Sequence, residues 1–223
     1  MPSPSSDAPA QVLSARGSDA PGRGDAAAGF VVRASGWILA VCGAIGLIAA
    51  FTLTVERLRL AEDPDYIPTC SINPILSCGS VMTTPQAEAF GVPNPLLGIA
   101  GFAALTALAV AVLSGATLAR GLWLTIQAGL TFAVGFVHWL FFQSVYRIDA
   151  LCPYCITVWI VTIAAFLYCT LRNLASGAIP LPHRAKPLAA TAIRYHGVLL
   201  TLWLAILTGL VAEAFWYYWR TLL

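Results

Sequence analysis

Of the 223 residues, 59% are hydrophobic and 10% are charged, and the mean hydropathy is +0.80. Soluble domains carry about 25% charged and about 45–50% apolar residues, so a single soluble core cannot cover this much apolar surface. The chain is expected to sit in lipid, and its net charge of +2 says little about partners.

The first 33 residues are rich in Ala, Ser, Gly, Pro and Asp and read as a disordered tail. The apolar run that follows starts too late and is too long for a secretory signal peptide, so it is expected to be an uncleaved first span. Apolar runs then recur at Ser35–Val55, Leu96–Ser114, Gly121–Tyr146, Pro153–Leu171 and Gly197–Tyr218. Each is near the ~20 residues that cross about 30 Å of hydrocarbon as a helix. Backbone groups in lipid must pair internally, and runs of this length do so as helices rather than barrel strands. The predicted class is therefore an all-α membrane protein. It divides into a cytoplasmic tail (1–33), a four-helix core (34–172) with a loop at 56–95, a cytoplasmic linker (173–196) and a fifth transmembrane helix (197–223).

Charge suggests the orientation. With the N-terminus cytoplasmic, Arg16, Arg23, Arg33, Arg120, Arg172, Arg184, Lys186 and Arg194 fall inside, against Arg57, Arg59, Arg147 and Arg220 outside. That split follows the positive-inside bias. The loop at 56–95 is polar, dotted with Pro and Gly, and acidic at Glu62, Asp63 and Asp65. A connection this long between bundle helices points to function. Two spans separate it from the short connection near Arg147–Leu151, so both connections face the same side, the extracytoplasmic one on the charge argument.

Four of the six cysteines lie on that side. Cys70 and Cys78 are in the long loop, and Cys152 and Cys155 open the fourth span. Cys42 and Cys169 stand alone in apolar runs and read as small buried packing residues. In Cys152-Pro153-Tyr154-Cys155 the two-residue spacing is that of reactive dithiols. Proline suits the first helical position, which makes Cys152 the expected cap and puts Cys155 in the first turn. Unpaired amides and the positive end of the dipole favour a thiolate there. The alternatives are a tetrahedral zinc site and two static disulfides. Cys70 and Cys78, with seven residues between them, are a weak signal alone and gain force from sharing a face with the second pair, because exchange requires direct attack of thiolate on disulfide.

These residues resemble the vitamin K epoxide reductase family in its bacterial form. The resemblance rests on the Cys70/Cys78 spacing, Ser77-Cys78-Gly79-Ser80-Val81, Phe90-Gly91-Val92-Pro93-Asn94-Pro95-Leu96-Leu97-Gly98, and Cys152-Pro153-Tyr154-Cys155-Ile156-Thr157. It covers about 35–171 and implies a four-helix bundle around a quinone, menaquinone or ubiquinone, with a partly helical loop as a cap. It further implies that a thioredoxin-like, DsbA-like periplasmic protein is reoxidised, supporting disulfide formation in exported proteins.

On the same resemblance, Cys70 meets the partner thiol, Cys78 exchanges with Cys152, and Cys155 lies beside the quinone. Asn94 matches an amide that hydrogen-bonds a quinone oxygen in relatives, although Asn-Pro also caps a helix well. Trp159 stands where some relatives place a quinone-contacting tyrosine, and Ser80 is a further candidate for lining the site. Many bacterial relatives carry a fused thioredoxin-like domain after the fifth helix, so a chain ending at Leu223 is expected to use a separate partner. No resident metal is expected. His138 reads as a satisfied bundle histidine, and Glu213 as a residue reaching the interface. The rival reading is a non-enzymatic membrane scaffold braced by two disulfides.

Overall fold

The computed structural model describes residues 23–220, which are almost entirely helical. The helices are α1 (Arg23–Glu62), α2 (Cys78–Met82), α3 (Asn94–Leu113), α4 (Arg120–Gln143), α5 (Pro153–Ala175), α6 (Lys186–Arg194), α7 (His196–Ala214) and α8 (Trp216–Trp219). Short 3-10 turns occupy Pro85–Glu88 and His183–Ala185. Five helices, α1, α3, α4, α5 and α7, are long and apolar enough to cross a membrane. The chain is a multi-pass, all-α membrane protein, as its apolar runs predicted.

Three boundaries differ from the sequence reading. Helix α1 has 40 residues, about 60 Å at 1.5 Å per residue, so it outreaches the bilayer at both ends. Its start falls inside the segment read as a disordered tail. Ala26-Ala27-Ala28 favours helix, and Val31 is buried against Leu167 and Leu171 of α5 and Ile193 of α6. Residues 1–22 of that tail lie outside the described residues. At its other end α1 continues through Glu56, Arg57 and Arg59, residues assigned to the loop. The linker at 173–196 also gains structure, because α5 runs to Ala175 and α6 forms beyond it.

Helix α1 is the centre of the bundle, packed between α3 and α5, and α4 lies on the far side of α5. Consecutive helices α3 and α4 make little contact with each other. In lipid no hydrophobic force drives helices together, and close approach through small residues takes its place. The α1–α3 contact works that way: a Cβ added at Gly43 would sit 2.5 Å from Thr106 Oγ1 and 3.0 Å from its backbone nitrogen. Cys42 and Cys169 pack in the interhelical core with Leu39, Phe102 and Leu105.

The fifth span is tied to the bundle. Trp203 Nε1 on α7 donates to His138 Nε2 at 3.0 Å, and His138 Nδ1 lies 2.7 Å from the Val134 carbonyl. With Nδ1 protonated both ring nitrogens are satisfied, which makes His138 a helix fastener. Phe215, just after α7, is buried against Val137, Phe141, Leu151 and Trp159. Glu213 is exposed near the end of α7.

Gly43→Ala should separate α1 from α3. Overpacking of this kind costs about 1–3 kcal/mol, read as a lower thermal midpoint in detergent.

Candidate active site: two cysteine pairs beside an apolar cavity

The loop between α1 and α3 folds over one end of the bundle. Its centre is organised by Asn73, whose Oδ1 accepts from the amides of Ile75 (3.0 Å) and Leu76 (2.7 Å). That turn presents Leu76 to Leu151 as an isolated parallel bridge. Leu151 N–H donates to Ile75 O at 2.7 Å, and Ser77 N–H donates to Leu151 O at 2.9 Å. Ser77 and Leu151 immediately precede Cys78 and Cys152, so the bridge sets these two cysteines side by side.

The sulfur geometry follows from that register. Cys70 and Cys78 form a disulfide, while Cys152 and Cys155 are free. Cys152 Sγ lies 3.0 Å from Cys78 Sγ. The sulfurs of Cys70, Cys78 and Cys152 are within 4.8 Å of one another, and all three residues are buried. Three thiolates so placed could grip a metal ion, but the Cys70–Cys78 bond leaves only Cys152 of the three free to ligate.

Cys152 is the N-cap of α5, with Pro153 in the first turn as predicted. Its thiol is held below the ordinary cysteine range chiefly by a hydrogen bond from the Cys155 thiol, with the amides of Cys155 and Tyr154 adding to the effect against the opposing cost of burial. The thiol most readily ionised and the positive end of a helix thus coincide.

Below the cysteines, α1, α3, α4 and α5 enclose a predominantly apolar cavity of about 500 Å³, roofed by Val81, Met82, Gln86 and Ala87 of the loop. Cys155 lines it, as do Trp159 and Thr162 further along the same face of α5. Gly101 and Ala104 of α3 and Gly129 and Phe132 of α4 line it where these two helices part, and all four are exposed. The cavity therefore opens sideways, toward lipid, between α3 and α4.

Three buried polar side chains find no hydrogen-bond partner among the described residues yet keep a polar atom accessible: the Trp159 indole N–H and the hydroxyls of Ser144 and Thr162. All three residues line the cavity. Ser144 starts a π-helical turn, Ser144–Ile148, that extends α4. Asp149 in the left-handed region (φ 55°) then turns the chain back toward Cys152.

Asn94 also lines the cavity, but its role in the fold differs from the predicted helix cap. Helix α3 begins at Asn94 itself, and no side chain caps it. The amide reaches back to the roof instead: Nδ2 donates to Gln86 O at 2.7 Å and Oδ1 accepts from Ala89 N–H at 3.2 Å. One amide hydrogen and one lone pair remain for a ligand. Ser80 is placed elsewhere. It is exposed on α2, 2.9 Å from the Ser77 hydroxyl, and is not among the residues lining the cavity.

Sequence reasoning missed Glu56, Arg57, Ser144 and Thr162. Arg57, which lines the cavity beneath its roof, donates to Met82 O at 2.5 Å and pairs with Glu88, binding the roof to α1. Within the first span the only available signal was the appearance of charges at the end of a run still able to continue as helix.

With its pKa lowered, Cys152 should become a thiolate at a lower pH than an ordinary cysteine. A titration of thiolate ultraviolet absorbance should show a step below the ordinary range that Cys152→Ser abolishes.

The chain matches the model of the vitamin K epoxide reductase family over residues 37–170, more than half its length. No curated protein matches it. The matched span runs from within α1 nearly to the end of α5 and contains both cysteine pairs and the residues that line the cavity beside them. Helical membrane architecture, clustered cysteines and this match agree: the chain is an oxidoreductase that belongs to the vitamin K epoxide reductase family.

Proposed function

We propose that this protein is a membrane thiol–disulfide oxidoreductase that oxidises an extracytoplasmic thioredoxin-like dithiol and delivers the electrons to a lipid quinone. The observation that carries this reading is the 3.0 Å approach of Cys152 to the Cys70–Cys78 disulfide, with Cys155 opening on the apolar cavity. A purely bracing role would leave that contact and that opening without a purpose.

The cavity suits the head group of such a quinone. It is apolar, it opens sideways to lipid, and it offers donors on Trp159, Ser144, Thr162 and Asn94 to carbonyl oxygens. When bound there, a quinone supplies an acceptor for two electrons and two protons. Menaquinone and ubiquinone both satisfy these requirements. The chain's own residues do the rest. A partner thiolate attacks Cys70, the Cys70–Cys78 bond breaks, and the partner's second thiol completes a partner disulfide, leaving both loop cysteines reduced. Cys78 thiolate then attacks Cys152 of an oxidised Cys152–Cys155 pair. Cys70 resolves the resulting Cys78–Cys152 bond, which returns the loop disulfide and leaves Cys152 and Cys155 as thiols, the redox arrangement described above. The dithiol's two electrons and two protons leave through Cys155, which borders the cavity, and Cys152 closes the disulfide. A stabilised Cys152 thiolate is a good leaving group and favours electron flow into this pair.

Orientation follows the charge distribution. The N-terminus and the 173–196 segment are assigned to the cytoplasmic side, and the cysteine end to the periplasmic side.

Purified protein supplied with dithiothreitol and a soluble quinone should turn over, followed by quinone absorbance. Cys155→Ala should abolish turnover, whereas Cys70→Ala should fail with a thioredoxin-like donor and retain turnover with dithiothreitol. Full turnover by Cys155→Ala, or none by the wild-type chain with any quinone, would refute the relay. Thr162→Val removes one hydroxyl at nearly constant volume. It should raise the KM for quinone by about two- to tenfold, the worth of one hydrogen bond.

A further inference from the structure

The carboxylate of Glu56 is buried near the end of α1 and takes three hydrogen bonds from one short stretch of loop. Oε1 accepts from Thr69 Oγ1 at 2.7 Å, and Oε2 accepts from Thr69 N–H at 3.2 Å and from the Tyr66 hydroxyl at 3.0 Å. Arg59, one turn further on, donates to the same Tyr66 oxygen at 3.4 Å. Burial of a carboxylate is costly unless its lone pairs are filled, so this arrangement resists opening. The next residue after Thr69 is Cys70.

Cys70 is 4% exposed. Thiol–disulfide exchange needs the attacking sulfur to reach its target sulfur directly, and a folded protein dithiol cannot reach one this covered. The segment from Tyr66 to Cys70 therefore has to lift before a protein reacts there. Pro68 within it is also buried, and Ile67 is 76% exposed, so the stretch is held by one face only. On that face Glu56 accepts three hydrogen bonds, and Arg59 adds one to the Tyr66 hydroxyl. Beyond Cys70 the chain is anchored separately, by the Leu76–Leu151 bridge beside Cys78.

We infer that Glu56 is the positioning residue for Cys70: it seats the loop disulfide against Cys152 and covers Cys70 until a protein dithiol displaces the Tyr66–Thr69 stretch. This rests on the proposed relay. When the clasp opens, Cys70 turns outward while Cys78 stays registered to Cys152, so one cysteine serves the partner and the other serves the membrane pair. At Cys70 the partner sulfur bonds to Sγ, the Cys70–Cys78 bond breaks, and Cys78 leaves as thiolate and takes a proton. The partner's second thiol then displaces Cys70, and the partner is oxidised by two electrons.

The test isolates the loop disulfide in full-length Cys152→Ser/Cys155→Ser protein and measures its reduction by reduced thioredoxin and by dithiothreitol, trapping freed thiols by alkylation and reading mass. Thr69→Val, which removes one donor to Glu56, and Glu56→Gln, which removes the charge, should each speed reduction by thioredoxin about two- to tenfold. The small reductant should be affected much less. Gly43→Ala serves as a control that loosens the bundle away from the clasp. A thioredoxin rate in Thr69→Val equal to or below that of the parent, or a rise that Gly43→Ala matches, overturns the assignment. Because no quinone takes part, failure of quinone turnover in the wild-type chain would refute the relay without altering these rates.

Discussion

The site depends on one short piece of backbone pairing. Two hydrogen bonds join Ile75 and Ser77 to Leu151, and they are the sheet-like contact that crosses from the loop to the start of α5. Each contributes about 0.5–1.5 kcal/mol net, little beside the packing of the bundle. Their importance is positional. The parallel bridge pairs Leu76 with Leu151, and the bond from the Ser77 amide to the Leu151 carbonyl brings the next residue, Cys78, alongside Cys152. Two sulfurs 74 positions apart in the chain meet at 3.0 Å because their predecessors are paired. A slip of one residue would turn one cysteine to the opposite face of its strand.

Around that bridge, the loop is fastened to the bundle by buried or half-buried polar side chains rather than by a core of its own. Glu56 holds Tyr66 and Thr69, Arg57 holds Met82 and Glu88, and Asn94 holds Gln86 and Ala89. Few apolar residues of the loop are buried, Ile75 and Met82 among them. Separate polar fasteners can open one at a time, whereas a continuous core would have to open together. Such a cap can stay closed over the cavity while one segment moves.

The bundle beneath has the opposite character. Tight α1–α3 packing through glycine and the α1–α5 contact make a rigid wall, and the sparse contact between α3 and α4 leaves the wall incomplete. A closed four-helix ring would have filled its centre with side chains. The missing fourth contact is what leaves about 500 Å³ of space with a side opening. The fifth span buttresses the far side, where Phe215 backs Trp159 and Trp203 fixes His138.

Much of this was legible without coordinates. Long apolar runs can only be helices in lipid, because every backbone group there must find an internal partner. Parity of the spans then put the four cysteines on one face, and proline after Cys152 marked a helix start that the fold confirms. These inferences rest on local or one-dimensional rules, in which composition and spacing are enough. What tertiary structure alone decided are the relations between distant segments: the Cys78–Cys152 contact, the accessible hydroxyls of Ser144 and Thr162, and the use of Asn94 as a tie to the roof rather than a cap. Ser80 entered as a candidate for lining the site through the family resemblance, yet one turn of α2 faces it outward. Glu56 carried no sequence signal because a charge near a helix end is ordinary. Only burial and three convergent donors set it apart, and both depend on where the loop folds back.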